Sequence, residues 1–455
     1  MCRKTKKVHF IGIGGISMSG IAELLLSKGY EVSGSDAGES RITKRLEELG
    51  AKIGYPQKAE NIPEDADVVV MTAAIHEDNP ELMEARKRGL KVETRADFLG
   101  QIMKGYEMPV AIAGTHGKTT TTGMVSKILL EAEYDPTISI GGVLRDIGGN
   151  FRVGGGRYFV MEACEYTNSY HSFYPRIGVI LNVEPDHLDF FKNIDDIRNS
   201  FHKYGQNIPG DGVLIINKDI EGFEQVAGGL KCRVVTFGSD ESADYYAEDI
   251  TYDEFARPSF TVCHAGKKRK INLGVRGAHN VTNALSAIAC ADELGISDDI
   301  AAKGLESFTG TDRRFEIKGK LNGCTIIDDY AHHPTEIKAT LNTAMKYPHR
   351  ELWVVFQSHT YTRTRALLDE FADALSIADH VICAEIYPAR ETDTLGMSGE
   401  VLKNRIKEKG TDCYYFPTFA EIENFVRKTV SDNDLLITMG AGDIVKVGDE
   451  LLENG

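Results

Sequence analysis

Short apolar runs alternate with amphipathic stretches from one end of the chain to the other. Runs over residues 8–13, 31–35, 67–71, 110–113, 158–161, 178–181 and 213–216 read as strands. Residues 325–327, 352–356, 380–384 and 435–438 repeat the pattern in the last third. Nearly continuous apolar runs rich in Val and Ile suit strands covered on both faces. Between them, residues 21–28, 119–131, 283–294 and 334–345 carry a helical pattern. This alternation predicts an α/β protein with largely parallel sheets. Residues 245–272 depart from it. They are richer in β-formers and charge, and read as a small antiparallel excursion on the middle domain. No repeat of solenoid period is visible.

The pattern starts or restarts with a glycine loop three times, from Val8, from Pro109 and near Arg313. A chain of 455 residues holds several domains at roughly 100–200 residues each. The expected division is 1–106, 107–312 and 313–455. Composition is ordinary, with 42% hydrophobic and 26% charged residues, so each domain has material for its own core. The net charge of −16 argues against a nucleic-acid partner, because phosphate backbones call for clustered Lys and Arg. It leaves room for phosphorylated small molecules, which need only a local site. No apolar run approaches the roughly 20 residues of a membrane span. No apolar signal-type stretch follows the basic N-terminal residues. The expectation is a cytoplasmic protein with no membrane partner, as a monomer or homodimer. Eight scattered cysteines without a C-x-x-C pair read as reduced, mostly buried thiols.

The strongest chemical signal is Gly114-Thr115-His116-Gly117-Lys118-Thr119-Thr120, between an apolar strand and a helix. Backbone N–H groups and a helix N-terminus face an anion there. Lys118 is placed to reach the β- and γ-phosphates of a nucleotide, and the Thr119 hydroxyl to reach Mg²⁺. Ile112 departs from the strict G-x-x-x-x-G-K-[ST] pattern, so the loop is a shortened variant. A second glycine loop, from Gly12 through Gly14, Gly15 and Ser17 to Gly20, also joins a strand to a helix. Asp36, at the end of the next strand, stands where dinucleotide folds keep a ribose-binding acid. Nicotinamide and UDP ligands both fit this loop, and so does a bare packing turn. Glu162 and His187 follow two further strands, at the carboxyl ends where α/β sheets bind ligands. They are candidate ligands for a divalent metal, although His is the less usual partner for hard Mg²⁺.

Three polar clusters remain. Asn280 and Asn283, beside His279, precede an apolar helix and suit an adenine edge, the alternative being a helix cap by Asn280 or Thr282. Asp328, Asp329, Tyr330, His332 and His333 end one strand, with Arg313 and Arg314 before them. The stretch from Gln357 and His359 to Arg363 and Arg365 ends another. Two such clusters at strand ends of one domain point to a charged site.

These motifs, in this order and over essentially the whole chain, resemble the Mur ligases, the ATP-dependent amide ligases of peptidoglycan assembly. The resemblance rests on the two glycine loops and on His279-Asn280 with Asn283. It rests also on Arg313-Arg314-Phe315, Asp329-Tyr330-Ala331-His332-His333-Pro334-Thr335-Glu336, Tyr361-Thr362-Arg363-Thr364-Arg365 and Thr438-Met439-Gly440-Ala441-Gly442-Asp443. The His-His-Pro-Thr-Glu and Thr-Arg-Thr-Arg elements point to the alanine-adding branch. The resemblance implies a Rossmann-like UDP-sugar domain, a central ATPase domain and a Rossmann-like C-terminal domain. By the same resemblance Gly12, Gly14, Gly15, Ser17, Asp36, Thr72, Ala73, Ala74 and Arg95 face the UDP-sugar. Gly114, Thr115, His116, Gly117, Lys118, Thr119, Thr120, His279, Asn280, Asn283, Arg314 and Asp329 hold ATP. Thr119, Glu162 and His187 hold Mg²⁺, with Mn²⁺ as its substitute. Tyr330, His332, His359 and Arg363 surround the muramyl carboxylate and the amino acid. Two departures stand out: Cys164 where many relatives carry Asp, and Ser358 where the Phe-Gln-Pro-His motif has Pro.

The implied reaction joins L-alanine to the carboxylate of UDP-N-acetylmuramate through an acyl phosphate made from ATP. Lys118, Mg²⁺ and an Arg suit the charge that develops as two anions meet. His332 and His359 are both candidates for taking the amine proton. The alternatives are a sibling adding a tripeptide during wall recycling, a nicotinamide-dependent oxidoreductase, and a nucleotide-binding regulator without turnover.

Overall fold

The computed structural model describes residues 6–72, 74–187, 190–389 and 391–453. They form two compact units. One comprises Met1–Pro185 with Ile194–Thr236, the other Asp186–Asn193 with Phe237–Gly455.

The first unit holds two sheets. A five-stranded parallel sheet runs Lys52–Gly54, Glu31–Ser35, Lys7–Ile11, Val68–Met71, Lys91–Thr94. Its order reverses beside the first strand, the position where open α/β sheets bind ligands. Phe10, Ile11, Val69 and Val70 are fully buried. The apolar character of these runs thus reflects cover on both faces. A seven-stranded sheet follows in the order Arg233–Phe237, Val213–Asn217, Ile177–Ile180, Met108–Ala113, Tyr158–Glu162, Thr137–Leu144, Gly149–Arg152. The strands from Val213–Asn217 to Thr137–Leu144 pair in parallel, and Gly149–Arg152 closes the edge as an antiparallel arm.

The second unit holds a six-stranded sheet in the order Glu316–Leu321, Cys324–Asp329, Leu435–Met439, Leu352–Phe356, His380–Cys383, Asp412–Tyr415. The first two strands form an antiparallel hairpin and the other pairs are parallel. Asn322 and Gly323 turn that hairpin with φ of 49° and 83°, the left-handed pair an Asn-Gly turn supplies. The expected excursion at 245–272 is a three-stranded antiparallel sheet of Tyr246–Tyr252, Pro258–His264 and Lys267–Asn272. It clusters with the second unit, and helix His279–Glu293 packs against its central strand.

Two helices start earlier than their apolar pattern. The first is Ile16–Ser27, not 21–28. Ser17, Ser19 and Gly20 mask its first turns, and Gly20 is small because an added Cβ would lie 2.3 Å from Phe151 Cγ. The second is His279–Glu293, not 283–294, its first turn being the polar cluster itself. The thiols of Cys232, Cys263, Cys290, Cys324, Cys383 and Cys413 are buried and unbridged, and Cys164 is partly buried. Among the described residues no helix is long and apolar enough to cross a membrane.

Within the first unit, helix Arg95–Met103 lies directly on the backbone after Tyr158–Glu162: a Cβ on Gly100 would sit 1.9 Å from the Ser172 carbonyl oxygen. Backbone must shift to admit it. Gly100→Ala is expected to lower stability by about 1–3 kcal/mol despite Ala's better helix propensity. Urea unfolding checks this; an unchanged midpoint would mean that the two segments part freely.

Candidate functional site

The phosphate loop is built by strand Met108–Ala113 and helix Lys118–Glu131. Gly114 has φ +144°, and a Cβ there would stand 2.9 Å from Leu181 Cβ. Gly117 caps the helix at φ +82°. Both positions therefore require glycine. Asn182 clamps the loop from the neighbouring strand. Its Oδ1 accepts the His116 N–H at 2.7 Å and its Nδ2 donates to the His116 carbonyl at 3.1 Å. The Glu184 N–H donates to the Thr115 hydroxyl at 3.0 Å. Thr119 lies buried in the first helical turn, with Thr120 beside it.

Lys118 folds back over this loop. Its Nζ donates to the carbonyls of Gly114 at 2.5 Å and Thr115 at 3.0 Å. It also meets the buried Glu165 carboxylate at 3.0 Å. Burial opposes the charge on Lys118, but Glu165 and neighbouring acids override it and raise the pKa above that of ordinary lysine. The ammonium is thus permanently charged. Sequence reasoning missed Glu165 as a partner; its signal was a second acid three residues after Glu162. Glu162 itself accepts the Gly141 N–H at 2.6 Å, and a Cβ on Gly141 would close to 2.8 Å. Its carboxylate and the Thr119 hydroxyl are hard oxygen donors of the kind Mg²⁺ selects. His187 falls in the other unit.

At the first glycine loop, Gly12 (φ +82°) and Ile13 donate to the Ser35 carbonyl, both at 2.9 Å. The Asp36 carboxylate accepts the N–H groups of Gly14 and Ala37, both at 2.7 Å. Asp36 therefore shapes the loop. Helix Ile16–Ser27 starts directly after Gly15. The Arg95 guanidinium donates to the Ser17 hydroxyl at 2.8 Å. Thr72 accepts the Ala74 N–H at 3.2 Å and borders Gly12. Ala73 lies outside the described residues.

The second unit gathers the remaining candidates at the carboxyl ends of Cys324–Asp329, Leu435–Met439 and Leu352–Phe356. Asp329 accepts the N–H groups of Phe315 and Ala331, both at 2.8 Å. Burial pushes its carboxyl up to about 6 against the pull of Arg314. Arg313 donates to buried Asp328 at 2.9 Å and to the Gly440 carbonyl at 2.8 Å. The guanidinium carbons of Arg313 and Arg314 lie 4.9 and 5.3 Å from the Tyr330 ring centre. The Arg363 guanidinium donates to Asp186 at 2.9 Å. Burial would raise Asp186, yet Arg363, His187 and His333 hold it well below the usual carboxylate range. Burial lowers His332 to about 4, against Glu336, and lowers His359, with Arg363 adding to the effect. Both imidazoles are neutral at neutral pH. Their ring centres lie 6.2 Å apart. Ser358 bonds Thr364 at 2.5 Å, and Thr364 bonds the Thr360 carbonyl at 2.6 Å. The serine thus ties the segment before His359 to helix Tyr361–Ala366.

Neither Asn280 nor Thr282 caps the helix at His279–Glu293, because the helix has already begun. Asn280 donates to the Arg276 carbonyl at 2.6 Å and accepts from Asn283 at 2.9 Å. His279 stands at the helix start, where a Cβ on Gly277 would touch its ring at 2.6 Å.

A shortened phosphate loop with a Rossmann-like sheet before it and a charged parallel sheet after it defines a multidomain α/β nucleotide-binding protein. Residues 7–107 match the catalytic domain of the Mur ligase family, 112–291 the Mur ligase middle domain, and 313–442 the Mur ligase glutamate ligase domain. A UDP-N-acetylmuramate–L-alanine ligase of Lachnospira eligens is 57% identical over 448 residues, 98% of each chain. One from Clostridium novyi is 50% identical, covering 98% of this chain and 97% of that one. The crystal structure of UDP-N-acetylmuramate-alanine ligase from Thermotoga maritima superposes with a TM-score of 0.81 at 33% identity over 98% of each chain. A murein peptide ligase from Psychrobacter arcticus gives 0.70 at 27%, over 98% of each chain. The chain belongs to the Mur ligase family and has its three-domain, mostly parallel α/β architecture.

The raised pKa of Asp329 has a stability consequence. The folded state keeps this proton to higher pH than the unfolded chain, whose carboxyl titrates near about 3.9. The stabilisation is complete below that value and is lost as pH rises through about 6. Between about pH 4 and pH 7, Asp329→Asn should therefore gain about 2–3 kcal/mol relative to the native chain. Urea unfolding of both proteins across that range measures it. Parallel pH profiles would show that Asp329 titrates normally.

Proposed function

We propose that the chain joins L-alanine to the carboxylate of UDP-N-acetylmuramate, converting ATP to ADP and phosphate, in cytoplasmic synthesis of peptidoglycan precursors. The observation that carries the reading is the Lys118 loop, glycine-cradled and permanently charged, in a chain 57% identical to a UDP-N-acetylmuramate–L-alanine ligase. The working division is a UDP-sugar domain at 1–106, an ATP-binding domain at 107–312 and a ligase domain at 313–455.

In this reading the muramyl carboxylate attacks the γ-phosphorus, ADP leaves, and the amine of L-alanine displaces phosphate from the acyl phosphate. The helix N-terminus from Gly117 to Thr120 holds the phosphates, on a loop shaped by Gly114, Thr115 and His116. Lys118 supplies a fixed positive charge where negative charge accumulates on the bridging and transferring oxygens. Thr119 and Glu162 would hold Mg²⁺, which neutralises phosphate charge when bound. His279, Asn280, Asn283, Arg314 and Asp329 serve the nucleoside. Gly12, Gly14, Gly15, Ser17, Asp36, Thr72, Ala74 and Arg95 serve the UDP-sugar. Tyr330, His332, His359 and Arg363 receive the acceptor carboxylate and the amino acid.

Phosphate release from ATP and Mg²⁺ should require UDP-N-acetylmuramate and L-alanine together. Lys118→Ala should lower it at least ~10³-fold, the scale of a lost transition-state charge, while UDP-sugar binding by calorimetry stays within a few fold. Release with a tripeptide but not with L-alanine would move the assignment to the recycling reaction. Near-normal release from the variant would remove Lys118 from the phosphate site.

A further inference from the structure

His332 Nδ1 lies 3.0 Å from the Tyr330 carbonyl oxygen and 3.3 Å from Glu336 Oε2. Both neighbours accept. A carbonyl oxygen carries no proton, so the short contact places the imidazole proton on Nδ1. Glu336 also accepts the His332 backbone N–H at 3.1 Å, so one carboxylate fixes both the main chain and the ring. It stands in the first turn of helix Pro334–Ala344, whose start is capped by His333 on the Thr335 N–H at 3.3 Å. Nε2 is left with its lone pair and takes no hydrogen bond among the described residues. His359 lacks such an arrangement: its buried Nδ1 has no partner among the described residues, and Tyr387 backs its ring at 5.6 Å between centres.

We infer that Glu336 and His332 form an orienting carboxylate–imidazole pair whose Nε2 takes the proton from the amine nitrogen as the amide bond forms. This rests on the ligase reading above and assigns within it a step that reading leaves open. The amine lone pair forms the C–N bond while the carbonyl π pair moves onto oxygen. The N–H proton passes to Nε2. The carbonyl re-forms, and the C–O bond to phosphate breaks with its electron pair leaving on phosphate. The imidazolium then returns its proton to water. Burial of His332 keeps the ring neutral and so available at neutral pH. His332 is the catalytic residue of this pair and Glu336 a positioning residue.

The test compares two nucleophiles on the same acyl phosphate: L-alanine, a basic amine whose nitrogen holds its proton after attack until a base takes it, and hydroxylamine, a weakly basic amine whose nitrogen sheds that proton to water without one. In His332→Asn, the ratio of L-alanine turnover to hydroxamate formation should fall about 10²-fold or more, the range for a general base. Glu336→Gln should move the ratio the same way by about 10-fold. In the native protein, ¹⁵N–¹³C spectra of His332 should show the proton on Nδ1, and Glu336→Gln should admit the other tautomer. Equal loss with both nucleophiles, or a proton on Nε2 in the native protein, would overturn the pair while leaving the ligase assignment standing. A native protein that makes neither product would remove the ligase reading and this inference with it.

Discussion

A lysine ammonium held against two loop carbonyls and an internal carboxylate governs the first unit. Lys118 is largely out of water, and an unpaired charge there would cost several kcal/mol. Glu165, 3.0 Å away, removes that penalty. The pair does more than hold a charge. Because Nζ also binds the carbonyls of Gly114 and Thr115, the same contacts set the loop's curvature. The glycines at 114 and 117 follow from this curvature, since one meets Leu181 and the other caps the helix in the left-handed region. Asn182 then locks the loop from the adjacent strand.

The second unit keeps a different electrostatic regime. Its arginines are already paired or stacked: Arg313 with Asp328, Arg363 with Asp186, Arg314 over Tyr330. Its His332 and His359 are neutral, because burial and the neighbouring Arg363 guanidinium both disfavour imidazolium. The division is useful chemically. Arginine remains charged at every accessible pH and suits carboxylate recognition. A neutral imidazole beside it retains a lone pair for proton transfer. Placing both at adjacent strand ends keeps them within one polar surface without mutual neutralisation.

Much of this was legible in the sequence. Both glycine loops, the acidic strand end at Glu162 and the two polar strand ends of the last third stand where the apolar runs put them. The runs themselves mark strands covered on both faces. What escaped was of two kinds. Helix starts were hidden wherever the first turn is polar or small, as at Ser17 to Gly20 and at His279 to Asn283. Strand Glu316–Leu321 escaped as well, being too polar to read as one, and only the Asn322-Gly323 dipeptide at its end carries a hairpin signal. Partnerships were the other loss. Glu165, Asn182, Asp186 and Glu336 are ordinary polar residues by type, and only tertiary placement turns each into the partner of a reactive group. Residues 245–272 fall within the stretch that matches the Mur ligase middle domain, while their contacts cluster them with the second unit.

The low pKa of His332 constrains what any base at this position does. An imidazole titrating at about 4 is a poor acceptor for the proton of a free ammonium, whose pKa is about 8 even in a peptide α-amine. The gap of roughly four units corresponds to about 5 kcal/mol uphill. Deprotonating the amine before attack is therefore unfavourable for His332. After attack the balance changes, because a nitrogen bonded to the acyl carbon bears positive charge and becomes strongly acidic. The proton is then released to a weak base at little cost, and the charge made on His332 lies beside Glu336, whose carboxylate favours it. A buried, neutral, tautomer-fixed imidazole is thus matched to the second half of amide formation. The fraction of L-alanine present as free amine carries the first half.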